Sequence, residues 1–151
     1  MWKIKHYRLG FDLWGLGLFL LIMIPNFVWF TLPAPNDILR AESATPLLDA
    51  VAQILQAAMA VTLCAVINTA RDTPMRGGYR AGTAACVVLY FAGWAVYYTG
   101  FTSAAVGLTL CLAPCGAFLF YSAARGNAPA LLAAGGFAVC HLISTVVNFI
   151  R

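Results

Sequence analysis

Apolar and polar positions divide this chain into five long apolar stretches and the short polar segments that join them. The first, Gly10 to Leu32, carries a single charge, Asp12, at its start. From Leu13 onward it is long enough, at about 1.5 Å per residue, to cross the roughly 30 Å hydrocarbon core of a bilayer. Four more follow at about 46–68, 83–100, 103–124 and 130–150. The pattern predicts an all-α integral membrane protein: one membrane domain over 1–151, folded as a five-transmembrane-helix bundle. Within the first stretch Pro25 removes a backbone donor and Asn26 adds a side-chain amide. Lipid offers neither disturbance a partner, so this part of the helix calls for a protein-lined interior.

The joining segments refine the picture. Pro33 to Thr45 contains Asp37, Arg40 and Glu42 and reads as a solvated connection, long enough to cover one mouth of the bundle. Thr45, Pro46 and Asp49 compose a helix start: a capping hydroxyl, a proline at the first helical position and an acid at the positive end of the helix dipole. Thr69 to Gly82 holds Arg71, Arg76, Arg80, Pro74 and a Gly77-Gly78 pair, which predicts a loop without phosphate-binding spacing. Gly100 to Ser103 is short enough to make the third and fourth helices an antiparallel hairpin, and Arg125 to Pro129 is a tight turn. Asp12 reads as an interfacial acid in the first helical turn, near Lys and Arg. Lys3, Lys5, Arg8, Arg71, Arg76, Arg80 and Arg125 fall on one side of the predicted bundle, and Arg40 and Arg151 on the other. Cytoplasmic loops carry the positive excess, which predicts the N-terminus inside and the C-terminus outside, with a bacterial cytoplasmic membrane as the expected location.

Composition excludes a soluble domain: 62% of residues are apolar and 9% charged, against about one quarter charged in soluble proteins. The net charge of +4 lies mainly in the joining loops and calls for no nucleic acid. The start, MWKIKHYR, has the charged character of a secretory signal, but the apolar stretch behind it is too long and Pro35 directly follows the one small-residue site, so it is expected to be retained with Trp2, Tyr7 and Trp14 at the interface. All five cysteines fall inside predicted helices, which argues against a disulfide framework. Cys111 and Cys115, four residues apart, lack both the C-x-x-C spacing and further ligands, so they read as packing residues and no metal site is expected.

The candidate chemistry lies in polar residues inside the helices. Asn26 on the first, Gln53 and Gln56 on the second, Tyr90, Trp94 and Tyr97 on the third, and His141 and Asn148 on the fifth fall mostly in the middle and outer half of the bilayer. Asp49, Gln53 and Gln56 repeat at steps of four and three, as do His141, Ser144, Thr145 and Asn148, so each set shares one helix face. A buried amide or imidazole costs kilocalories in hydrocarbon unless partnered, and the economical arrangement lets these faces meet around one pocket. Aromatic and amide groups with little fixed charge suit a neutral, amphipathic or cationic small molecule better than an anion.

Three functions fit these residues. One is the binding or translocation of such a molecule. A second is a non-catalytic assembly subunit or homo-oligomer, docking through the Ala- and Gly-rich faces of the fourth and fifth helices, including Ala133, Ala134, Gly135 and Gly136. The third, a membrane enzyme using His141, lacks a nucleophile and base at motif spacing, and no cofactor is indicated. Length and span number equal those of the tryptophan-rich sensory and translocator proteins, but the proline- and tryptophan-rich segments of that family are missing, and no family is recognised.

Overall fold

The computed structural model describes residues 6–71 and 74–150. Its five main helices are α1 (Leu13–Thr31), α2 (Pro46–Ala65), α3 (Gly77–Tyr98), α4 (Ala104–Ala124) and α5 (Ala128–Thr145), the last continued by a π-helical turn, Val146–Ile150. All five are long and apolar enough to cross a membrane, and the chain is a multi-pass, all-α membrane protein. Trp2, Lys3, Lys5 and Arg151, on which part of the orientation argument rests, lie outside the described residues.

α4 is the central element. It packs against α3 and α5, α5 packs against α2, and α1 lies across α2, α3 and α4. Small side chains make this approach close: Ala117 on α4 and Ala130 on α5 are wholly enclosed, as is Met59 on α2.

Two helix boundaries differ from expectation. The third helix begins at Gly77, so the Arg80 segment expected as loop is its first turn. Arginine stems can lie along apolar surface while their heads stay wet, which lets a helix run past the hydrocarbon edge. The second helix stops at Ala65, and Val66–Asn68 instead forms a strand, β2, paired antiparallel with β1 (Tyr7–Leu9) in the register Tyr7 with Asn68. β-branched Val66 and Ile67 favour this extended backbone. The pairing continues through Gly10 N to Ala65 O (3.0 Å) and Asp12 N to Cys64 O (2.8 Å), which pins the start of α1 to the end of α2.

The same end of the bundle, which carries Arg8, Arg71, Arg76, Arg80 and Arg125, is closed by a buried polar cluster. Asp12 is the cap of α1 rather than a residue of its first turn: its carboxylate accepts from Trp14 N and Gly15 N, both at 3.1 Å. It also accepts from Tyr121 Oη at 2.9 Å and pairs with Arg125 Nε at 3.3 Å. Asn127 caps α5 through Ala130 N and donates its amide to Thr62 O (2.8 Å) and Val66 O (2.9 Å) at the end of α2. Between them Gly126, at φ +59°, turns the chain; its carbonyl accepts from Tyr7 Oη and Asn68 Nδ2.

At the opposite end the segment expected to be a solvated connection is folded onto the bundle. Asp37 accepts from Trp29 Nε1 and Tyr97 Oη, each at 2.9 Å, from Arg40 Nε at 2.8 Å and from Ala34 N at 3.3 Å. Arg40 also lies 4.7 Å over the Trp29 ring. Asn36 Nδ2 bonds Gly100 O (2.7 Å), at a turn where φ is +84°, and Tyr98 Oη bonds Leu32 O. Burial pushes the Asp37 carboxyl up, but the bonds from Trp29, Tyr97, Arg40 and Ala34 outweigh it and hold its pKa below the usual aspartate value.

Candidate functional site

One cavity of about 390 Å³ lies between the five helices, towards the end covered by the 33–45 segment. Each helix contributes to its wall, and among the described residues the hydrogen bonds that pin the start of α1 to the end of α2 lie near Asp12. Further along, α1 bonds to α3 and α2 bonds to α5. Pro114, in mid-α4, lies in the wall beside Phe118, both buried.

Asn26 stands one residue beyond Pro25. Its Nδ2 donates to Ile22 O, one turn back in its own helix, and to Tyr90 Oη at 2.8 Å. The protein partner that an intramembrane amide requires is therefore a tyrosine on α3, and both residues line the cavity. Trp94, one turn beyond Tyr90, packs edge-on to Tyr90 (6.3 Å between rings) and Tyr97 (5.6 Å), with Trp29 at 6.4 Å. Trp94 is 5% exposed, yet its Nε1 has no hydrogen-bond partner among the described residues.

The facing wall comes from α2 and α5. Asp49 accepts a short hydrogen bond from Ser144 Oγ, whose oxygen also meets Thr45 Oγ1 at 3.2 Å. Asn148, in the π-helical turn, donates to Thr45 Oγ1 (3.0 Å) and Ser144 O (2.8 Å) and accepts from Ala44 N (2.7 Å). The Thr45 hydroxyl is therefore engaged across helices instead of capping α2. One turn along α5 from Ser144, His141 stacks on Phe137, with rings 5.1 Å apart and nearly parallel. Gln53 and Gln56 line the cavity on the α2 side.

Asn26, Gln53, Gln56, Tyr90, Trp94, His141 and Asn148 thus border the same space. Tyr97 does not: it is buried behind Trp94, and its hydroxyl is committed to Asp37 and Leu39 N. Trp29, Phe118 and Phe137 also border the cavity but were not among the expected pocket residues; Asp49 borders it as well, on the helix face it shares with Gln53 and Gln56. Phe137 had a readable signal, its place one turn before His141. Trp29 had one too, three residues past Asn26. Among the described residues, no group of three or more His, Cys, Asp or Glu side chains is arranged to hold a metal ion.

Compared with known protein families, with curated proteins and with solved structures, the chain matches none.

Proposed function

We propose that this protein binds a small neutral, amphipathic or cationic molecule in the cavity between its helices, and releases it or passes it on at the end covered by the 33–45 segment. The carrying observation is a donor short of a well-formed partner at a lined space: Trp94 Nε1 is buried beside the Tyr90 side chain but makes no hydrogen bond of ordinary geometry among the described residues, in a cavity bordered by amide, imidazole and aromatic groups from all five helices. A buried donor left unmade costs about 1–3 kcal/mol, which a ligand acceptor or a trapped water would offset. The volume also falls in the range of about 300–1,000 Å³ that small-molecule sites occupy. With the arginine-rich end in the cytoplasm, the cavity lies in the outer half of a bacterial cytoplasmic membrane.

The assembly reading has less to draw on. Ala113 and Ala117 of α4 and Ala130 and Ala134 of α5 are buried within the bundle itself. A Cβ on Gly116 would meet Cys86 Sγ at 2.8 Å, and one on Gly136 would meet Leu55 at 3.2 Å, so these glycines already serve contacts inside the chain.

Native mass spectrometry of protein released gently from its own membrane tests the proposal. The expected result is a retained small molecule that is lost from Trp94→Phe and His141→Leu at unchanged fold. A ligand-free spectrum for the native protein, together with a co-released partner subunit, would instead support assembly.

A further inference from the structure

The acids of this protein are not equivalent. Among the described residues, ion pairs join Asp12 to Arg125 and Asp37 to Arg40, whereas Asp49 has no cationic partner and takes one side-chain hydrogen bond, from Ser144. Asp49 is also the acid that borders the cavity. A carboxylate facing a space inside a membrane bundle without a counter-charge marks where a positive group is best stabilised.

Two kinds of wall lead away from Asp49, an amide wall of Gln53, Gln56 and Asn26 and an aromatic one. Ser144 holds the carboxylate, and one turn along α5 His141 and Phe137 form a ring stack. Trp94 and Phe118 close the space from α3 and α4. Aromatic faces attract cations through their quadrupole and accept apolar groups equally well. Ala41 and Gln53 are the exposed residues of the wall, which places the opening between the 33–45 segment and α2. Among the described residues no side-chain hydrogen bond joins the cavity-side halves of α1 and α2: Asn26 bonds to α3 and Asp49 to α5.

Resting on the binding function above, we infer that the occupant is an amphipathic organic cation, with its charged end at Asp49 and its apolar body along the aromatic wall. A neutral molecule would leave Asp49 with only the positive end of the α2 dipole and the nearby His141 ring beside it, and no full cation. An anion would be opposed by it.

A matched pair of probes tests the charge and not merely the shape. Benzyltrimethylammonium carries a fixed positive charge, and neopentylbenzene is its neutral isostere. Each is titrated into the full-length protein in detergent while intrinsic tryptophan fluorescence and melting temperature are followed. The cation is expected to bind saturably and to bind about tenfold more weakly to Asp49→Asn, while the weaker binding of the neutral isostere is unchanged. Asp49→Asn retains an acceptor for Ser144 Oγ, and its melting temperature without probe verifies the fold. If the two probes bind equally well and Asp49→Asn changes neither, the cation assignment is overturned while the pocket stands. If neither probe binds to the folded native protein, the cation assignment is also overturned, and the molecule retained in the native mass spectrum decides separately whether the cavity is a binding site.

Discussion

Asp37 gathers four donors from three parts of the chain, and its charge holds the 33–45 segment against α1 and α3. Its carboxyl has a lower pKa in the folded protein than in the unfolded chain, because those bonds outweigh the effect of burial. The folded state therefore binds fewer protons. The resulting stability is fully present above the unfolded value of about 3.9 and is lost as pH falls through the folded value. Melting temperature in detergent should accordingly drop on acidification below about pH 4, and Asp37→Asn should flatten that acid limb while lowering stability at neutral pH. An acid limb that is the same in both proteins would show that other groups govern it. Nothing in the sequence distinguished Asp37 from Glu42, its exposed neighbour, because the donors Trp29 and Tyr97 belong to two different helices. Asp12 illustrates the same limit: its location at a helix start is legible, but its partners Tyr121 and Arg125 lie more than a hundred residues away.

At the scale of elements, the helices were legible because an apolar run of this length has few other fates, and their ends were less so. Period and hydropathy cannot show that Val66 and Ile67 find a strand partner at Arg8 and Leu9, since that pairing depends on where α1 and α2 meet. Half-polar faces were more informative than boundaries. Asp49, Gln53 and Gln56 repeat at helical spacing and do border one space, but the sequence could not assign Tyr97, whose hydroxyl is drawn off by Asp37. The contact between α1 and α2 is likewise set by a residue with no polar signal. A Cβ on Gly15 would lie 2.9 Å from Leu63 O, a backbone atom that cannot rotate away, whereas one on Gly17 would meet nothing within 4 Å. Gly15→Val is expected to destabilise the protein by about 1–3 kcal/mol, as overpacking does, with Gly17→Val within about 0.5 kcal/mol of the native protein. Unfolding in mixed detergent micelles at increasing SDS fraction measures the difference. Equal effects would mean that α1 shifts freely over α2.

Over the whole molecule the two ends of the bundle are built differently, and the difference gives the fold a direction. At one end a strand pair, the Asp12, Tyr121 and Arg125 cluster and Asn127 tie α1, α2, α4 and α5 together with buried polar bonds. At the other, α1 goes with α3 and α2 with α5, and the space between the two pairs is the cavity. Arg8, Arg71, Arg76, Arg80 and Arg125 all belong to the tied end, and Arg40 to the other. Since short loops rich in Lys and Arg stay in the cytoplasm, the tied end should face inward and the cavity outward. Membrane-impermeant maleimide applied to intact cells checks this with two exposed positions in a cysteine-free background: Glu42→Cys beside the cavity end and Arg76→Cys at the start of α3. Labelling of the first without permeabilisation, and of the second only after it, is the expected outcome. The opposite pattern would turn the cavity towards the cytoplasm, and the proposed cation would then have to come from inside the cell. Equal labelling of both positions in intact cells would mean that the chain inserts in both directions, which the excess of arginines at the tied end makes unfavourable.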